Sequence, residues 1–304
     1  MRTDTLFEVV DKRFLTLIVP HTEPDLLYSG CRWAEGPVWF ADLNMLLFND
    51  IPNRRTLRFV PDLGVSVFRS DSNFANGNTR DRQGRLVTCE HGGRRVTRTE
   101  TDGSITVIAD RYEGRRLNSP NDVVVASDDS IWFTDPTYGI MSDYEGFKAD
   151  QEQPTRNVYR VDGRTGEIRA VVTDFLQPNG LAFSPDESIL YVADSGASHD
   201  PEAPRHIRAF DVTADGRLQN GRVHAVIDAG LPDGFRVDTG GNIWTSAGDG
   251  VHCFSPAGEL LGKIRLPGPI ANVTFGGPAR NRLFITGNKN LWAVFVAATG
   301  AQRP

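Results

Sequence analysis

At 304 residues with a formal charge of −6, the chain has the length of a single closed all-β domain and lacks the basic face that nucleic acid or an anionic membrane requires. No stretch approaches the ~18 uninterrupted apolar residues of a membrane span, and the opening MRTDTLFEVVDKRFL puts charges where a signal peptide needs an apolar core. A soluble cytoplasmic protein is expected, a monomer or homodimer. Cys31, Cys89 and Cys253 are far apart and without a CxxC partner, so they read as reduced, partly buried thiols. The clusters Arg94, Arg95, Arg98 and Arg115, Arg116 read as solvated strand and turn positions.

Along the chain, residues 9–18 read as a strand or a short helix and residues 26–28 as a strand. From there one pattern is restated six times. An acidic or amide residue opens a strand, a turn follows, and a second, strongly apolar strand returns. The openers are Glu35 (EGPVWFADLNMLLFND), Asn76 (NGNTRDRQGRLVTCE), Asn121 (NDVVVASDDSIWFTD), Asn179 (NGLAFSPDESILYVAD), Asp233 (DGFRVDTGGNIWTSA) and Asn272 (NVTFGGPARNRLFITG). Pairs such as Asp128-Asp129, Pro185-Asp186 and Gly240-Gly241 supply the turns. After each hairpin comes a further β-rich stretch, so each unit reads as a meander of three or four strands, and the opener spacing matches the blade period of propellers.

The sequence therefore predicts a single domain over residues 1–304: an all-β, six-bladed β-propeller with four-stranded blades around a central channel. The last opener leaves room for about three strands, so the ring is expected to close by borrowing one from residues 1–34, with residues 26–28 the candidate. A β-sandwich would not repeat its polar opener in register, and an α/β fold would need helical periodicity between strands.

The first strand of each propeller blade lines the channel, so the six openers form a ring at one mouth. Second-strand ends lie at the same end of the antiparallel hairpin; four of them are Asp50, Glu90, Asp135 and Asp194. Six carboxylates crowded at one mouth call for a compensating cation or shifted pKa values. With oxygen donors, one nearby histidine (His91) and no thiolate pair, the expectation is one hard divalent ion, calcium foremost, then magnesium or manganese, with zinc less expected. An Asn or Asp before Gly can also be only a turn residue, as at Asn179-Gly180 and Asp233-Gly234, but six in register favour a site. Trp39, Trp132, Trp244 and Trp292 read as core between blades. There is no GxSxG elbow, HExxH, Walker loop or GxGxxG.

In this order, AEGPVW, LNSPNDVVV, FTDPTYG, QPNGLAFSPDE and LPDGFRVD resemble the SMP-30/gluconolactonase/luciferin-regenerating-enzyme-like family over residues 30–290, and ANGNTRDRQGRL and CEHGGRRV look closest to bacterial gluconolactonases. The resemblance implies a divalent cation held by Glu35, Asn179 and Asp233, with Asn121 facing the ion or its substrate. It implies hydrolysis of a sugar lactone such as glucono-1,5-lactone, a small-molecule partner. Asp233 is then the expected catalytic base, with Asn121, Asn76, His91, Asp135 and Asp194 the expected substrate contacts; for Asn76 and His91 the expectation rests on the ring alone. Competing readings are a metal-dependent esterase, lactonase or phosphotriesterase on another substrate, and a non-enzymatic binding propeller. The insertions 138–157 and 196–206 leave from the same mouth, and one could act as a lid.

Overall fold

The computed structural model describes residues 6–302; residues 1–5, which open the segment read for a signal peptide, and 303–304 of the expected domain lie outside the described residues. Six antiparallel sheets follow one another around a ring. Blade one is Ala34–Phe40, Met45–Asp50, Arg55–Val60 and Gly64–Arg69. Blade two is Ala75–Arg80, Leu86–Glu90, Arg95–Thr99 and Ile105–Ala109. Blade three is Val123–Val125, Ile131–Thr134, Arg156–Val161 and Ile168–Phe175. Blade four is Pro178–Phe183, Ile189–Asp194, His206–Val212 and Leu218–Val226. Blade five is Phe235–Val237, Ile243–Ala247, Gly250–Phe254 and Leu260–Arg265. Blade six has three strands of its own, Asn272–Gly276, Arg282–Gly287 and Asn290–Phe295.

Closure is as expected: Asp25–Ser29 pairs with Asn290–Phe295 and completes blade six, so an early and a late strand are held in one sheet. Within residues 9–18 the helix alternative holds, and the strand lies just ahead of it. Phe7–Val9 adds a fifth strand to blade five, and a 3-10 helix, Lys12–Thr16, follows with Asp11 accepting from the Arg13 amide as its N-cap. Phe14 from this helix is fully buried against Trp244, ring centroids 6.0 Å apart.

The apolar second strands fill the seams between blades. Trp132 packs with Leu181, Leu190 and Val192 of the next blade, Trp244 with Val273 and Ile285, and Trp39 stacks on Phe284 at 5.2 Å where blade one meets blade six. Each such aromatic contributes about 1.5–3 kcal/mol or more on burial. Trp292 is only partly buried against the same core. All three cysteines are buried and unpaired. Arg94 departs from expectation: it is 5 % exposed, donating through Nε to the carbonyls of Leu117 and Asn118 and pairing with Glu152 at 3.2 Å, because the turn at Arg94 directs it beneath the next blade's entry loop.

Toward the channel the inner strands approach so closely that side chains must be omitted. A Cβ on Gly36 would lie 1.9 Å from the Asn76 carbonyl, and one on Gly180 would lie 2.2 Å from that of Asp233. The Gly180 amide bonds the Asp233 carbonyl at 3.2 Å instead. The glycine after Asn179 thus serves blade-to-blade contact, and the turn reading of Asn179-Gly180 does not hold.

Candidate active site

The register decides which polar residues reach the ring. Glu35 lies opposite Asn49 in blade one, whereas Asp50 lies opposite Ala34; likewise Glu90 faces Ala75 and Asp194 faces Pro178. Directly opposed residues share a face and neighbours alternate, so the second-strand carboxylates point away from the openers. The expectation that they join the ring is off by one residue. They instead anchor the entry to each blade. Asp50 accepts from the Arg32 amide at 2.8 Å and pairs with Arg55 at 2.9 Å. Glu90 accepts from Asn73, Arg95 and Thr97. Asp194, expected among the substrate contacts, accepts from the amides of Leu176, Gln177 and Gly196 at 3.0–3.1 Å. Asp135, expected with it, is fully buried beneath the Asn118 amide at 2.8 Å, and burial pushes it up to about 7.

The openers do come together. Glu35, Asn76, Asn121 and Asn179 are 3–5 % exposed, and Asn272 joins them at 2 %. Glu35 Oε2 takes both available donors, the Gly36 amide at 2.5 Å and Asn272 Nδ2 at 3.0 Å, which leaves Oε1 uncommitted. Asn179 Nδ2 donates to Ser195 Oγ at 3.0 Å, and that hydroxyl donates to the Pro232 carbonyl at 2.5 Å. This chain orients the Asn179 amide with Oδ1 on the opposite side from Ser195 and ties it to the residue preceding Asp233. The Asp233 amide is held by Ser246 Oγ at 2.8 Å. No hydrogen-bond partner engages the Asn121 side chain among the described residues.

His91 sits 1 % exposed at the rim. Its Nε2 is 3.2 Å from Asn76 Nδ2 and its Nδ1 is 2.9 Å from the Glu145 carbonyl. A carbonyl can only accept and an amide nitrogen can only donate, so the ring is neutral with its proton on Nδ1. Burial pushes it down to about 4.

Electrostatically the site is over-supplied with acid. Burial raises Glu35 to about 8, with the Asp122 charge adding to the effect and Asn272 and Gly36 opposing it. Burial also raises Asp233 well above the carboxylate range, and the charges of Glu35, Glu145 and Asp122 push the same way. Asp122 is raised by burial and partly relieved by Arg236, whose Nη1 lies 3.4 Å from its Oδ2. Arg236 and Asp122 form a buried ion pair just inside the ring. Arg236 also lines a cavity of about 400 Å³ with Arg80, Arg82, Phe183 and Glu187. That cavity includes Val125, Phe183 and Val237, the far ends of inner strands, so it opens at the opposite mouth and is not the site.

No three His, Cys, Asp or Glu side chains cluster as metal ligands among the described residues. The ring has another composition, two carboxylates, Glu35 and Asp233, with two amides, Asn121 and Asn179. An oxygen-only set of this kind fits a hard divalent cation, and such a charge would relieve the mutual repulsion that raises both acids.

Four residues around the ring carry no role in the sequence reading, Ser195, Asp122, Arg236 and Glu145, and Asn272 was read there only as an opener. Asp122 had a signal, because it is an acid at the position where glycine follows the opener in four other copies. Arg236 was visible as a charge inside an otherwise apolar inner strand. Ser195 and Glu145 had none, since Pro232 and His91, to which they are tied, lie outside their own blades.

A six-bladed propeller with a buried, oxygen-lined, acid-rich mouth defines the class. The sequence profile of the SMP-30/Gluconolactonase/LRE-like region matches residues 33–289, and the chain belongs to that family. It is 34 % identical over 297 residues to a gluconolactonase of Zymomonas mobilis, covering 89 % of this chain and 80 % of that one. It is 30 % identical over 266 residues to the pentonolactonase XacC of Haloferax volcanii, covering 85 % and 82 %. The solved structure of a gluconolactonase from Xanthomonas campestris superposes with a TM-score of 0.88 at 40 % identity, covering 95 % of this chain and 94 % of that one.

Proposed function

We propose that the protein hydrolyses a sugar lactone of the glucono-1,5-lactone type to the open-chain acid, at the mouth formed by Glu35, Asn121, Asn179 and Asp233. The observation that carries the reading is the convergence of uncommitted oxygens on these openers in a site whose acids are raised by burial and by one another. Relatives of this length and identity that are gluconolactonase and pentonolactonase support the substrate class.

Glu35 Oε1, Asn179 Oδ1 and the Asp233 carboxylate would hold one divalent cation, calcium foremost, with Asn121 beside it. Bound there, the ion supplies Lewis acidity for the lactone carbonyl and for the negative charge that develops on its oxygen. Asp233 takes the proton from the attacking water. The carbonyl carbon gains the water oxygen, the ring C–O bond breaks, and the departing alkoxide takes up the proton that Asp233 removed from the water. Asn121, with a free side-chain amide, orients the substrate oxygens. Ser195 keeps the Asn179 oxygen presented and Asn272 fixes the Glu35 carboxylate. Asn76 shares the rim, and His91 acts on it by holding the Asn76 amide and the 138–157 loop. Buried unpaired thiols accord with a reducing compartment such as the cytoplasm, and no helix of the described residues is long and apolar enough to cross a membrane.

The test is hydrolysis of glucono-1,5-lactone by chelator-stripped protein with calcium, magnesium, manganese or zinc added back, on wild type and Asp233→Ala. Activity restored by a cation and lost in the variant supports site and reaction together. A folded protein that is inert toward the lactone but cleaves paraoxon or an aryl ester refutes the substrate. One that cleaves nothing favours a binding propeller.

A further inference from the structure

The mouth opposite the catalytic ring has a cavity of its own. The inner strands of blades two to five end there, at Arg80, Val125, Phe183 and Val237. They enclose about 400 Å³, enough for a small organic molecule. Late residues of the chain close one side: the Ala301 amide donates to the Val237 carbonyl at 2.9 Å, and Gln302 Nε2 donates to Thr79 Oγ1 at 2.9 Å. Arg82 ties three blades together at the rim, donating through Nε to the Ala126 carbonyl at 3.1 Å and through Nη2 to Glu187 at 2.8 Å.

Donors and acceptors do not balance around this space. The two acids that line it are already satisfied, Glu187 by Arg82 and by the Ser127 amide and hydroxyl, and Asp186 by the hydroxyls of Ser184 and Ser188. The two inner guanidiniums are not. Arg80, its side chain 8 % exposed, lies 2.9 Å from Asp42, an acid 61 % exposed whose attraction water screens. Its guanidinium stacks over the Phe40 ring at 4.7 Å, and its Nε and Nη1 have no hydrogen-bond partner among the described residues. Arg236, its side chain 4 % exposed, commits Nη1 to the Phe235 carbonyl at 2.7 Å and to Asp122 at 3.4 Å. Its Nε has no partner among the described residues. Both residues line the cavity. Cationic N–H groups buried without acceptors are costly, and a bound anion supplies the missing acceptors.

We propose that the opposite mouth is a second ligand site, which takes a small organic monocarboxylate. Arg80 and Arg236 hold the carboxylate, and Val125, Phe183 and Val237 receive its hydrocarbon body. The edge of a guanidinium presents paired N–H groups that match the two oxygens of a carboxylate. A phosphate fits less well, because the apolar wall would leave its further oxygens without donors. The inference stands apart from the lactonase reading, since none of the residues that grip this ligand belongs to the catalytic mouth.

The experiment titrates butyrate calorimetrically into wild type, Arg80→Met and the double variant Arg236→Met/Asp122→Asn, with butyramide and inorganic phosphate as comparison ligands. Methionine keeps an apolar chain over Phe40, and the double change removes the second guanidinium together with its acid. Wild type should bind butyrate equally well in chelator and with calcium present, which separates this site from a cation at the catalytic mouth. Each variant should bind butyrate about ten- to hundredfold more weakly, the effect of losing a charge-assisted hydrogen bond. Melting curves show which variants are folded, and either folded variant suffices. Butyramide, with the same body and no charge, and phosphate should both bind wild type more weakly than butyrate does. Wild type that takes no butyrate, takes it only with calcium, or takes butyramide or phosphate as tightly overturns the assignment. A folded variant with undiminished affinity overturns it as well.

Discussion

Replacing Ser195 by alanine tests whether one buried hydroxyl sets the orientation of the ring. Ser195 Oγ accepts from Asn179 Nδ2 and donates to the Pro232 carbonyl, and the residue is 2 % exposed. Ser195→Ala keeps the bond from the residue's own amide to the Gln177 carbonyl, yet it strands the Asn179 amide N–H and the Pro232 carbonyl, which water cannot easily reach. Each buried group left unpaired costs about 1–3 kcal/mol, which for a chain of this size corresponds to a fall in Tm of about 2–4 °C or more per group. The Asn179 amide is then free to rotate, so cation affinity should drop about 10–100-fold, the usual effect of losing a ligand's supporting hydrogen bond. Calorimetric titration of calcium into chelator-stripped wild type and variant reads the affinity, and thermal melts in chelator read the stability. A variant that binds the ion as tightly as a calcium-binding wild type, and melts at the same temperature, would refute the claim that Ser195 orients Asn179.

Asp233→Asn should keep the fold and lower kcat about 10²–10⁴-fold, the scale of a lost general base; measurement at saturating cation separates this from weakened ion binding. The Arg236–Asp122 pair lies wholly inside the channel, so Arg236→Met should cost about 3–5 kcal/mol by leaving a buried charge alone, and adding Asp122→Asn should recover most of it; urea unfolding of the three variants closes the cycle. The pH dependence has a definite sign. Glu35 is held up near 8 and Asp135 near 7, so across pH 6.5–8 the folded state retains protons the unfolded state has lost. Stability of the cation-free protein therefore falls as pH rises through that window. His91, pushed down to about 4, acts only below it, where its stabilising contribution is lost as pH falls. Adding the cation should flatten the Glu35 part of the slope, and melting curves in chelator against calcium check both statements.

Much of this protein is written along the chain. Six polar openers followed by apolar strands are enough to imply six blades, because period-two burial and turn spacing are local properties. The borrowed strand at Asp25–Ser29 follows from counting, since the last repeat is one strand short. The ring of six openers follows too, because equivalent positions in a closed repeat must meet on its axis; the choice of Glu35, Asn121, Asn179 and Asp233 within it rests on the family resemblance.

What the sequence could not decide is direction and distance. Asp194 and Asp135 looked like ring members, but the ladder register turns Asp194 to the outer side and burial encloses Asp135; one residue of offset reverses a side chain. Ser195 and Glu145 look ordinary in sequence, and their roles exist only because Pro232 and His91, 37 and 54 residues away, are brought within 2.5 and 2.9 Å. Local pattern determines which residues can form a site; closure of the ring and packing of its loops decide which of them face it.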